Sequence, residues 1–214
     1  EETDSDSESG VGFLALGGLR FAVGQSLHLL LEAEFSSYPD IIGTGDVVVP
    51  PTSTPITSWS GATGGVNATG DALSYSGSPT GWNQNSVNSA TLSSLGATGD
   101  FDVAFEVASD PAGTTWVLGF GVSESSSDWR DVDYALRSSN GNLTVYENGT
   151  WRTNVGPLAQ GSVLTIGKKA SAVQYRLDGV LIFETQFVGT PDFYIDTSFK
   201  SGAIDLQSFE LLTP

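Results

Sequence analysis

A chain of 214 residues carrying a net charge of −17, from 25 acidic against 8 basic residues, repels nucleic acid and anionic membrane and points away from both as partners. Its 26 Gly, 39% apolar and 15% charged residues fit short strands joined by tight polar turns rather than a helical bundle. No apolar run approaches the roughly 20 residues of a membrane span, and a chain with no cysteine holds no disulfide. It needs none, since a domain of this size buries about 70% of its unfolded surface.

Residues 1–10, EETDSDSESG, are too acidic and hydrophilic to fold alone, and they lack the basic flank of a signal peptide. A chain that begins at Glu1 and contains no Met is expected to be a processed or trimmed form. Beyond the tail, Leu19, Phe21 and Val23, then Leu27, Leu29, Leu31 and Phe35, alternate with mostly polar residues, which reads as a β-hairpin turning at Gly24–Ser26. Leu27, Leu30, Leu31 and Glu34 also fit a short amphipathic helix. Residues 37–58, with Pro39, Pro50, Pro51 and Pro55, read as a linker. An isolated hairpin is marginal in water. It therefore either packs on its own domain or adds strands to a neighbour. The expected organisation is an acidic tail and β-hairpin assembly arm (1–36), a Pro/Ser/Thr-rich linker (37–58) and a β-sandwich (59–214).

From Trp59 onward strand signals recur. Phe101, Val103, Phe105 and Val107 alternate with Asp102, Ala104 and Glu106, and Trp116, Leu118, Phe120 and Val122 repeat the pattern, which makes Trp116 a core residue. Val132–Leu136, Leu143–Val145, Val163–Ile166, Val173–Leu177, Val180–Phe183, Phe193–Ile195 and Ile204–Leu211 follow. Asn140-Gly141, Asn148-Gly149 and Asp178-Gly179 mark tight hairpin turns. Short strands at this spacing predict an all-β, two-sheet antiparallel sandwich or jelly roll, with the last strand returning to pair near the first.

The stretches Asp128–Leu136, Gly141–Thr150 and Val173–Gly179 together resemble a module of bacterial surface proteins and phage structural proteins. That module is similar to the concanavalin A-like lectin/glucanase sandwich and the related SPRY-type domains, and the resemblance covers roughly residues 58–212. It implies the sandwich fold and leaves the activity open, because this fold carries lectins, hydrolases and structural domains alike.

Chemistry-bearing residues are sparse. A retaining glycosidase needs two carboxylates about 5 Å apart, and the one pair at strand alternation, Asp102 and Glu106, reads as a solvated strand face. The single histidine, His28, lies in the arm, so the sandwich holds no Ser-His-Asp triad. Asp128, Asp131 and Asp133 form an oxygen-rich cluster that would suit Ca²⁺, with Asp131 and Asp133 on one strand face, or else solvate the start of a strand. No other cofactor is implied. Sugar stacking needs exposed aromatic faces beside polar groups. Trp129 with Arg130 and Asp131 is the first candidate, Trp82 with Asn83 the second and Trp151 the third. Three Asn-x-Thr sequons, at Asn67, Asn142 and Asn148, are expected by chance in so Thr-rich a chain.

These features lead to the expectation of a non-enzymatic attachment protein of a virion or microbial surface: a phage capsid decoration, spike or fibre component, or a filament or adhesin subunit. Its partner would be itself, as a homo-oligomer, or a capsid or filament scaffold held through residues 1–57, with a cell-surface glycan as ligand. The alternative is a free-standing carbohydrate-binding lectin, and a glycoside hydrolase ranks third. The expected location is extracellular or on the virion surface; the absence of cysteine favours a microbial or viral source.

Overall fold

Apolar residues at every second position give each strand one face to bury. In the computed structural model, which describes residues 51–82, 84–122, 127–187 and 189–214, that rule builds two stacked antiparallel sheets. The acidic tail, His28 and the arm residues Leu19, Phe21, Val23, Leu27, Leu29, Leu31 and Phe35 lie outside the described residues, as does Asn83.

In chain order the strands are β1 (Thr52–Pro55), β2 (Trp59–Ser60), β3 (Val66–Thr69), β4 (Ala72–Tyr75), β5 (Asn88–Ser89), β6 (Phe101–Val107), β7 (Thr115–Gly121) and β8 (Tyr134–Ser139). They continue with β9 (Asn142–Glu147), β10 (Thr150–Pro157), β11 (Val163–Lys169), β12 (Ala172–Leu177), β13 (Val180–Gln186), β14 (Tyr194–Ser201) and β15 (Ile204–Thr213). The larger sheet runs β13-β12-β11-β6-β15-β4-β3, with β1 also on β15; the smaller runs β10-β9-β8-β7-β14; β2 and β5 form a separate pair. The last strand does return beside the first: Thr52 pairs with Thr213 and Pro55 with Glu210.

That pairing corrects the expected linker boundary. Thr52–Pro55 is a strand of the larger sheet, and Ile56 is fully buried in the core. Proline is tolerated there because β1 pairs on one side alone, where a missing N–H leaves no ladder bond unmade.

The core lies between the sheets. Phe101, Val103, Phe105 and Val107 of β6 meet Trp116, Leu118 and Phe120 of β7, with Phe105 stacked on Phe209 at 5.0 Å and Phe120 on Phe193 at 5.0 Å. The three predicted turns form as read. Asn140 and Gly141 (φ 51° and 71°), Asn148 and Gly149 (48° and 68°), and Asp178 and Gly179 (50° and 80°) place both central residues at positive φ, the geometry that matches strand twist in two-residue hairpins.

Candidate functional site

The faces turned away from the core differ in chemistry, and the smaller sheet carries the candidate site. Its outward positions follow from register. Val117 of β7 pairs with Arg137 of β8, Arg137 with Thr144 of β9, Ala135 with Tyr146, and Tyr146 with Trp151 of β10. Cross-strand partners share a face, so Arg137, Tyr146 and Trp151 project together.

Two loops fold over that face. Asp128 caps a 3₁₀ turn, Trp129–Asp131, by accepting the Arg130 N–H at 3.1 Å, and the Ser198 hydroxyl of β14 donates to the Ser127 carbonyl at 3.0 Å. The turn lays half-buried Trp129 on Val117, Val132 and Ala135. The second loop holds Trp82. Asn85 is fully buried, and its amide nitrogen lies 3.0–3.3 Å from the oxygens of Pro79, Gly81, Phe199 and Tyr75, while its Oδ1 accepts the Gly65 N–H. Gly81 N–H donates to the Lys200 carbonyl at 2.8 Å, which ties the loop to the end of β14.

The result is an aromatic platform. Trp82 and Trp129 lie 5.7 Å apart with planes inclined at 38°, and Trp129 meets Tyr146 edge-on at 5.3 Å. Arg137 sits among the three rings, 5.9 Å from Trp82, 5.4 Å from Trp129 and 5.2 Å from Tyr146, and donates to the Tyr146 hydroxyl at 2.9 Å. Lys200 lies 5.7 Å from the Trp82 ring and Arg130 5.1 Å from the Trp129 ring. Contacts of this kind contribute about 0.5–2 kcal/mol each and hold the rings in place. Trp151 extends the platform at β10: 53% exposed, with its indole N–H donating to Asn154 at 3.2 Å.

The predicted sugar-binding residues therefore separate. Trp82, Trp129 and Arg130 meet, and Trp151 shares their face. Sequence reading missed Arg137, Tyr146 and Lys200. The signal for Arg137 was a lone cation at an outward position of a central strand, flanked by the buried Leu136 and Ser138.

The acidic residues are deployed singly. Asp128 pairs with Arg130 at 3.3 Å. Asp133 accepts the Val122 N–H at 2.8 Å, and burial, with Asp131 nearby, raises its carboxyl above the ordinary carboxylate value. Asp131 and Asp133 do not share a strand face, because the capped turn holds Asp131 and the strand begins only at Tyr134. Among the described residues no group of three or more His, Cys, Asp or Glu side chains is placed to hold a metal ion. Asp102 and Glu106 lie on the opposite outer face, where Asp102 pairs with Lys169 at 2.8 Å and Arg176 at 3.4 Å. Between the sheets, buried Glu147 binds Arg152 at 2.7 Å and accepts from the Tyr175 hydroxyl at 3.4 Å. Arg152 thus turns away from Trp151.

No protein-family model matches the chain, and no curated protein matches it. Solved structures do. The potassium-bound carbohydrate recognition domain of Emp46p aligns at TM-score 0.50 and 12% identity, over 73% of this chain and 88% of that one. The CBM2 module of the evolved Dit of Lactobacillus casei BL23 phage J-1 aligns at 0.45 and 16%, over 71% and 80%. The carbohydrate-binding module CBM66 of Bacillus subtilis aligns at 0.45 and 11%, over 72% and 94%. The fold is a concanavalin A-like sandwich. No helix among the described residues is long and apolar enough to cross a membrane.

Proposed function

We propose that this chain is a non-enzymatic carbohydrate-binding module that holds a glycan on the platform of Trp82, Trp129, Tyr146 and Trp151. The observation that carries the reading is the platform itself: four aromatic side chains on one sheet face, ringed by polar and cationic groups and locked by Asn85 and the Asp128-capped turn. Sugar sites combine ring faces with a few convergent polar groups in this way. The catalytic alternative lacks support, because the strand-paired carboxylates Asp102 and Glu106 lie on the other outer face.

A glycan array read with the full chain and with Trp82→Ala and Trp129→Ala tests the proposal. Anchors of this size are worth about 2 kcal/mol or more, so each variant should lose about 30-fold in affinity. Absence of binding to any oligosaccharide, or full binding by both variants, would sink it.

The reading extends to an extracellular attachment role at a virion or microbial surface, with the segment that precedes β1 joining the sandwich to a scaffold or to copies of itself. Support comes from composition: an acidic tail and an alternating apolar segment precede a sandwich that pairs its own strands. Removing residues 1–36 should abolish assembly in sedimentation and leave glycan affinity unchanged; a truncated chain that still assembles would remove the arm from the account.

A further inference from the structure

The platform carries more positive charge than its structure uses. Arg130, Arg137 and Lys200 are three of only 8 basic residues in a chain of net charge −17, and all three lie against its rings. Arg130 is answered by Asp128. Arg137 and Lys200 form no ion pair with a carboxylate among the described residues, although each sits within 6 Å of the same Trp82 ring, at 5.9 Å and 5.7 Å. One nitrogen of Arg137 donates to Tyr146, while its buried Nε has no hydrogen-bond partner among the described residues.

A half-buried guanidinium with an unmet donor retains a desolvation cost, and the ammonium on the same Trp82 ring brings no negative charge to offset it. Elsewhere Arg176 and Lys169 share Asp102 and Arg152 holds Glu147, while Lys168, 5.9 Å from the Phe187 ring, donates to the Gly99 carbonyl at 2.7 Å. What sets the platform apart is that two cations, Arg137 and Lys200, share one ring and neither is paired with an acidic side chain among the described residues.

Resting on the glycan-platform reading, we infer that the ligand is an anionic glycan whose carboxylate or sulfate is received by Arg137 and Lys200 beside Trp82. Guanidinium presents a planar donor fork suited to either group, and a positive patch beside ring faces selects a charged sugar over its neutral counterpart.

Matched probes separate the possibilities in calorimetric titrations of the full chain. One pair is a hexamer of (1→4)-linked galacturonate and its methyl ester; the other is a sulfated galactan hexamer and its desulfated form. One charged probe should bind at least about tenfold more tightly than its neutral partner, and the pair that discriminates names the anion. In Arg137→Gln and Lys200→Gln that discrimination should collapse toward unity, whereas Lys169→Gln, on the far sheet, should leave it intact. Lys200 is exposed, so its variant reads the charge even if Arg137→Gln loses the fold; Arg137→Lys, which keeps the charge, should retain part of the preference. Equal affinity within both pairs overturns the inference and leaves the platform standing as a neutral-sugar site. Binding of none of the four probes also overturns it, and the platform reading then falls only if the array with neutral glycans is blank.

Discussion

On the outer face of the larger sheet, Asp102 is held by Lys169 at 2.8 Å and Arg176 at 3.4 Å; on the outer face of the smaller one, Arg137 has three rings around it and, among the described residues, no paired acid. Both faces belong to the same sandwich and rest on the same core, so the fold does not dictate the difference. Paired charges on a half-exposed face serve solubility and add little stability. Unpaired charges on an aromatic surface make sense when something else completes them. Function is therefore to be sought on one face, and the contrast can be broken experimentally.

The largest expected effect is on binding: replacing Trp82 and Trp129 together by Ala should cost glycan affinity by at least about 100-fold, a loss of roughly 3 kcal/mol. Unfolding midpoints of the same variant should show that the core is intact. If the double variant binds normally, the two faces are not functionally different. Next, Asn85→Ala should lower stability by about 1–3 kcal/mol, because it leaves buried acceptors and the Gly65 N–H unmet. Urea denaturation gives the stability, and a parallel loss of glycan affinity would show that the Asn85 clamp positions Trp82.

Alkaline pH tests the interior that supports both faces. Burial, together with the nearby Glu147, pushes the Tyr175 phenol well above its ordinary 10.0, and burial raises Tyr75 and Tyr134 as well. As pH passes about 10 the unfolded chain releases phenolic protons that the folded chain keeps, so the unfolded state gains and stability falls. The stabilisation is complete below pH 10 and is lost as pH rises through the folded values. Tyr175→Phe should flatten this decline in midpoints measured between pH 9 and 11; an unchanged slope would contradict the assignment. The smallest effect belongs to the larger sheet: Lys169→Gln should change stability by less than about 1 kcal/mol and glycan affinity not at all.

Much of this was legible in the sequence. Period-2 alternation located β6 and β7, and the Asn-Gly and Asp-Gly pairs located three turns, because both signals are local. Trp82 and Trp129 stood out by their polar surroundings, but their meeting depends on Asn85 and on the Asp128-capped turn, contacts between segments far apart in the chain. Arg137 escaped notice because an outward residue on a strand normally faces water, and only the two loops folded over the smaller sheet make that position half-buried. Strand β1 was hidden by its flanking prolines, which read as linker until the free side of β15 is known.

The most direct test of the central claim is an NMR titration of the full chain with the best oligosaccharide from the array, following the indole N–H signals of Trp82, Trp129, Trp151, Trp59 and Trp116. The account predicts that Trp82 and Trp129 shift first and most, that Trp151 follows, and that buried Trp116 and Trp59 beside Phe209 stay in place. Shifts confined to amides of the larger sheet, with the three platform tryptophans unmoved, would contradict it.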